Sequence, residues 1–120
     1  MAKILIVDDV LIMRNILRVM LENAGHEIAG NAENGKEALV KYNELNPDLV
    51  MLDIQMEDGD GMTFLQKITQ QYPDARVIMV SAVNDDAIRK QALDLGAAGY
   101  VTKPFQVKEI LEQTQKALSK

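Results

Sequence analysis

The sequence predicts an α/β fold: a doubly wound, five-stranded parallel sheet with helices on both faces. Three observations predict it. Runs such as residues 4–7, 49–52 and 77–80 are continuously apolar and rich in β-formers, which leaves no polar face and implies cover on both sides. Amphipathic stretches of helical period separate the runs. The resulting order, βαβαβαβαβα, has connections suited to parallel crossovers.

Each element follows from local residues. The first strand spans 3–7 and ends in Asp8-Asp9. Residues 11–24 carry apolar side chains at 12, 13, 16, 17, 20 and 24, a helical period, and Gly25 stops the helix. A shorter strand covers 26–32, and Glu33-Asn34-Gly35 is a turn. The second helix runs from 36 to 45, with Ala38, Leu39, Tyr42 and Leu45 on one face. Pro47 ends it and opens the third strand, 48–53, which delivers Asp53 to its carboxyl end. Ligands of open α/β sheets bind at that edge.

An acidic, glycine-bearing loop follows, in which Asp58 and Asp60 read as caps for the third helix at 61–72. That helix is buried through Phe64, Leu65 and Ile68. After the Pro73-Asp74 turn, the fourth strand covers 75–80 and ends at Ser81. The fourth helix, 85–95, has a thin apolar stripe of Ile88, Ala92 and Leu95, and Gly96 stops it. A fifth strand at 98–102 leads into Lys103-Pro104-Phe105. The last helix, 106–118, turns Val107, Ile110, Leu111, Thr114 and Leu118 inward. No repeat, linker or low-complexity segment appears, so residues 1–120 read as one domain.

Composition narrows the function. Apolar residues make up 48% of the chain, enough for a core. There are no cysteines, which excludes a disulfide framework and cysteine chemistry and fits a reducing cytosol. A net charge of −5 repels nucleic-acid phosphates, so no nucleic-acid partner is expected. The longest fully apolar runs are four residues, against the roughly 20 that a membrane span needs. No signal peptide is visible at the start. The expectation is a soluble cytoplasmic protein.

The strand ends carry the chemistry. Asp8 and Asp9 follow the first strand, Asp53 ends the third, Ser81 follows the fourth and Lys103 the fifth. Taken singly, each has a plain structural reading: Asp8, Asp9 and Ser81 as caps or turn residues, Lys103 as a solvated lysine. Taken together they lie along one edge of a parallel sheet. Two carboxylates about 4 Å apart repel by roughly 4 kcal/mol at an effective dielectric near 20, so three would not gather without a cation. Hard oxygen ligands on a rigid edge suit Mg²⁺. A cation, a lysine and a hydroxyl around one carboxylate describe a phosphoryl site, with Asp53 as nucleophile. His26, the only histidine, reads as structural.

Val7-Asp8-Asp9, Leu52-Asp53-Ile54-Gln55-Met56, Val80-Ser81-Ala82 and Tyr100-Val101-Thr102-Lys103-Pro104-Phe105 resemble the motifs of response-regulator receiver domains of two-component signalling. The resemblance is collinear and covers essentially the whole chain. Met13-Arg14-Asn15-Ile16-Leu17 after the acidic pair is similar to the CheY-like, stand-alone chemotaxis type. The resemblance implies a flavodoxin-like (βα)5 fold with strand order 2-1-3-4-5. It implies that Asp53 accepts a phosphoryl group from a histidine kinase. It further implies Mg²⁺ ligation by Asp9, Asp53 and the Gln55 backbone carbonyl, with Asp8 acting through the metal's water shell. Ser81 and Lys103 would contact the phosphoryl oxygens, and the Lys103-Pro104 bond would be cis. Tyr100 would turn inward as Ser81 moves, and the face built from the fourth helix, fifth strand and fifth helix would change for a protein target. The protein would be a monomer or a phosphorylation-dependent dimer.

Two departures from the family pattern stand in the phosphorylation loop. Glu57 occupies the usual proline position, and Gly59 replaces a usual hydrophobic residue. Losing a φ restraint and adding a glycine predict a looser loop over 56–61 with an extra anionic group near the site. The leading expectation is a signalling switch, not a turnover enzyme, with chemotaxis or motor control as output. A phosphorelay shuttle and an isolated receiver of a larger regulator are the alternatives. A Mg²⁺-dependent phosphohydrolase fits less well, because Asp8-Asp9 are adjacent rather than Asp-x-Asp and 120 residues leave no room for a cap. A docking module without chemistry would be expected to lack Asp53 or Lys103.

Overall fold

The computed structural model describes residues 2–56 and 59–119. Five strands form one parallel sheet: β1 (Lys3–Val7), β2 (Glu27–Ala32), β3 (Leu49–Leu52), β4 (Val77–Ser81) and β5 (Gly99–Thr102). Their order across the sheet is β2-β1-β3-β4-β5, so the chain reverses direction of winding between β1 and β3. The helices are α1 (Leu11–Asn23), α2 (Gly35–Leu45), α3 (Gly61–Gln71), α4 (Asp86–Asp94) and α5 (Val107–Leu118). This is the predicted doubly wound, flavodoxin-like architecture.

The apolar strands split between two cores, one per face, as period-2 side chains must. Leu5, Val7, Val50, Leu52, Val77 and Met79 pack with Tyr42, Phe64, Leu65 and Ile68 of α2 and α3. Ile4, Ile6, Leu49, Met51, Ile78 and Val80 pack with Leu17 and Leu21 of α1 and Ile110 and Ala117 of α5. Every residue of β3 is buried, and each such side chain contributes about 1.5–3 kcal/mol relative to staying exposed. β3 is therefore a firmly held mount for whatever follows it. Gly25 (φ 92°) and Gly96 (φ 107°) terminate α1 and α4 in the left-handed region, in the stop positions that the sequence marks.

Several expectations shift. β3 stops at Leu52, and Asp48 and Asp53 flank it; the Asp48 carboxylate instead accepts from the Lys3 N–H at 2.8 Å. α1 does not bury the stripe that its period offered. Ile12 and Ile16 are exposed, together with Val10, Leu11 and Val19, while Arg14, Leu17 and Leu21 face the sheet. In α5 Val107 is exposed, and Ile110, Thr114 and Ala117 are the buried positions. Beyond Asp53, Gln55–Met56 pairs antiparallel with Gly59–Asp60, a short ladder where a plain loop was expected. Glu57 and the caps assigned to Asp58 and Asp60 lie outside the described residues and side chains, so the looser loop predicted there does too. Among the described residues no helix is long and apolar enough to cross a membrane.

Candidate functional site

Strand register builds the site. Val7 is level with Leu52, so Asp8 and Asp53 leave the sheet side by side, and the Asp53 N–H donates to the Val7 carbonyl at 3.0 Å. Ser81 is level with Thr102, so Lys103 emerges beside it, and the Lys103 N–H donates to the Ser81 carbonyl at 2.8 Å. Lys103 then reaches back across the edge. Its Nζ lies 2.9 Å from Asp8 Oδ2 and 3.5 Å from Asp53 Oδ2. The Lys103–Pro104 peptide bond that starts the next turn is cis.

Asp8, Asp9 and Asp53 each offer a carboxylate oxygen, all within 4.8 Å of one another. Asp8 and Asp53 are buried at 1% and 6% exposure, and Asp9 is half-buried. The capping readings account for only part of this. The N-cap of α1 is Val10 and takes no side-chain bond, so Asp9 is not used as a cap. Asp8 Oδ1 does accept the Val10 N–H at 2.9 Å, an Asx turn, but its other oxygen goes to Lys103. Ser81 Oγ accepts the Val83 N–H at 3.2 Å, while α4 is capped by Asp85. Three hard oxygen donors on separate, rigidly mounted carboxylates fit an ion such as Mg²⁺, which uses few protein ligands and keeps several waters. Asp9 opens onto a groove of about 710 Å³ lined by Ile54, Gln55, Met56, Met62, Val83, Ile88 and Gln91.

Burial pushes the Asp53 carboxyl above the ordinary Asp value. Lys103 pulls it back, the Asp8 charge pushes it up again, and the Gln55 N–H, 3.3 Å from Oδ1, favours the ionised form. A carboxyl raised on folding binds more protons folded than unfolded. Metal-free stability therefore falls as pH rises, from the ordinary Asp value of 3.8 up through the raised folded one. Asp53→Asn is expected to be more stable than the parent at pH 7 without divalent ions, with the gap closing below about pH 4. Urea unfolding of both proteins across pH checks this; a gap of constant size or of opposite sign would contradict it.

Tyr100 is inward, 7% exposed, and its hydroxyl donates to the Val83 carbonyl at 2.6 Å. The Arg89 guanidinium sits 5.1 Å over the ring and also reaches Thr102 Oγ1 at 3.3 Å. Burial raises the Tyr100 phenol above its ordinary value, with Arg89 opposing. His26 lies at the other end of the sheet, where Nδ1 accepts the Ala2 N–H at 3.2 Å. Burial and the chain's amino terminus both lower its pKa. Arg14, within the family-like stretch 13–17, is 8% exposed and donates to the Asp8 carbonyl. No sequence signal marks it, because which stripe of α1 is buried emerges only from the fold.

Fold and site together define a class: an α/β domain with an acidic pocket, a lysine and a hydroxyl at the carboxyl edge of a parallel sheet. The chain belongs to the response regulator receiver domain family, whose match covers residues 4–115. The chemotaxis protein CheY of Listeria monocytogenes is 41% identical over 117 residues, 98% of each chain. The CheY of Bacillus subtilis is 42% identical over 117 residues, again 98% of each. Among solved structures, a chain of the CheX–CheY–BeF3–Mg²⁺ complex from Borrelia burgdorferi superposes with a TM-score of 0.94 at 34% identity, covering 98% of this chain and 90% of that one. The chain is thus a CheY-like receiver of two-component signalling, a family of signalling proteins that bind Mg²⁺ in an acidic pocket.

Proposed function

We propose that this chain is a cytoplasmic, phosphorylation-dependent switch that takes a phosphoryl group from the phosphohistidine of a histidine kinase and controls a protein target in chemotaxis. The observation that carries this reading is the placement of Lys103 against both Asp8 and Asp53 within the carboxylate cluster. An Asp53 oxygen attacks the phosphorus, the P–N bond breaks, and the imidazole leaves with the electron pair. Lys103 faces the developing charge on the phosphoryl oxygens, and the Ser81 hydroxyl, at the end of β4, would move to donate to one of them. Asp8, Asp9, Asp53 and the Gln55 carbonyl would hold Mg²⁺, Asp8 through water; the ion supplies charge neutralisation at the transferring group. Hydrolysis of the acyl phosphate resets the switch, with Gln55 and Val83 beside the water's path.

Two surfaces support the partner assignments. The exposed side chains of Ile12, Ile16 and Val19 form one apolar stripe on α1 that starts a few residues beyond the carboxylates, suited to a donor that must approach Asp53. Tyr100 and Arg89 join the site to the α4–β5–α5 face, where a target, or a second copy in a phosphorylation-dependent dimer, would sense the change. The test is incubation with Mg²⁺ and acetyl phosphate, followed by intact mass. A single base-labile phosphoryl gain is expected, absent in Asp53→Ala and without Mg²⁺. A gain of equal size in Asp53→Ala would place the acceptor elsewhere.

A further inference from the structure

We propose that Arg14 is a positioning residue for the acidic pocket, fixing the turn between β1 and α1 that presents Asp8 and Asp9; this rests on the Mg²⁺-binding reading given above. The guanidinium is a buried cation at a position where the helix otherwise buries leucines. Filling space there would be done by methionine or leucine with no desolvation cost, so the charge and its direction need a reason. Nη1 donates to the Asp8 carbonyl oxygen at 2.6 Å, and Nη2 lies 3.5 Å from the largely exposed Glu33 carboxylate.

With that bond, every polar group of Asp8 is engaged. Its N–H donates to the Ala32 carbonyl at 3.1 Å, its carbonyl accepts from Arg14, Oδ1 accepts the Val10 N–H and Oδ2 the Lys103 ammonium. The first two bonds fix the peptide groups on either side of Asp8 and the last two fix its side chain. Asp9 is the next residue, so its carboxylate is placed by the same turn. Arg14 also spans from α1 to Glu33 after β2, joining the two segments that border β1 at this edge. A lysine in its place has one nitrogen and no fork, and could hold the carbonyl or Glu33 but not both in the same plane.

Charge and position act on metal affinity with opposite signs, which makes the proposal testable. Were Arg14 only a nearby cation, removing it would make the pocket more negative and Mg²⁺ would bind more tightly. As a positioning residue, its loss loosens the carboxylates and Mg²⁺ binds more weakly, by about 10-fold or more, as for other residues that orient metal ligands. MgCl2 titrations followed by amide NMR shifts, with amide exchange at Val10 as a second readout, compare the parent with Arg14→Met, Arg14→Lys and Glu33→Gln.

The expected result is saturable binding by the parent, about 10-fold weaker binding and faster Val10 exchange in Arg14→Met, partial recovery in Arg14→Lys, and a change under about threefold in Glu33→Gln. Equal or tighter binding by a folded Arg14→Met would overturn the proposal. Should that variant not fold, Arg14→Lys decides alone: parental affinity and parental Val10 exchange overturn it. A parent that binds no Mg²⁺ removes the underlying reading and the proposal with it, an outcome seen in the parent and therefore distinct from a failure in the variants.

Discussion

Gly61→Ala is expected to lower the unfolding temperature by about 10 °C or more and to slow labelling by acetyl phosphate at least tenfold in the protein that stays folded. α3 starts against the backbone that carries Asp53, the proposed acceptor. The Gly61 N–H donates to the Ile54 carbonyl at 2.6 Å. A methyl on Gly61 would stand 2.2 Å from the Asp53 carbonyl oxygen and 2.9 Å from the Ile54 Cα. Those are backbone atoms, so no rotamer change relieves the clash. Either α3 withdraws from the sheet edge or the Asp53–Ile54 peptide moves. Overpacking a core costs about 1–3 kcal/mol when side chains can give way, and the upper end or beyond applies when they cannot. Displacing a nucleophile by even about 1 Å is enough for a large rate loss, so the proposed role of Asp53 predicts slow labelling. Thermal unfolding and intact-mass time courses measure both. Parental values in both would mean that the start of α3 slides without cost.

That close approach shows what a sequence does and does not disclose. The strands were legible because four consecutive apolar residues at 49–52 admit only two-sided burial, and parallel order follows from the connections. Asp53 was legible because the run ends in it. The face that α1 buries was not. Val10 to Met13, Ile16, Leu17 and Val19 to Leu21 supply apolar residues on most sides of the helix, so its period alone fits more than one stripe. The packing of α1 against β1 and β2 selects Arg14, Leu17 and Leu21. Arg14 stayed hidden for a related reason: an isolated arginine defaults to solvent, and only the fold reveals a backbone carbonyl to meet it. The pairing of Gln55–Met56 with Gly59–Asp60 is a two-residue ladder, below the length at which alternation says anything. The position of Tyr100 depends on Val83 and Arg89, which approach it only once α4 has packed against β5.

Lys103→Met is expected to separate the stability of the pocket from its chemistry. The Lys103 side chain is 15% exposed, and its ammonium stands between two carboxylates that are nearly sequestered from water. Removing one partner of a buried ion pair leaves an uncompensated charge and costs about 3–5 kcal/mol, so the variant should be less stable than the parent by that order at pH 7 without divalent ions. The sign of the pH dependence follows from Asp53. Lys103 is the main influence holding its pKa down against burial, so in the variant the carboxyl rises further, and the deficit shrinks on acidification as the bare charge is neutralised. Asp53→Asn in the same chain should recover part of the loss, because the two sites share one interaction and their effects do not add. Mg²⁺ should recover part of it too, since an ion that binds only the folded pocket stabilises by mass action and no longer competes with the ammonium. Phosphoryl gain from acetyl phosphate should stay at least tenfold slow even at saturating Mg²⁺, because no ammonium then faces the charge that develops on the phosphoryl oxygens. Equal stability of Lys103→Met and the parent at pH 7 without Mg²⁺ would mean that the carboxylates are held by the Val10 and Gln55 amides alone. Recovery of labelling together with stability would mean that Lys103 acts only as a counter-ion of the resting pocket.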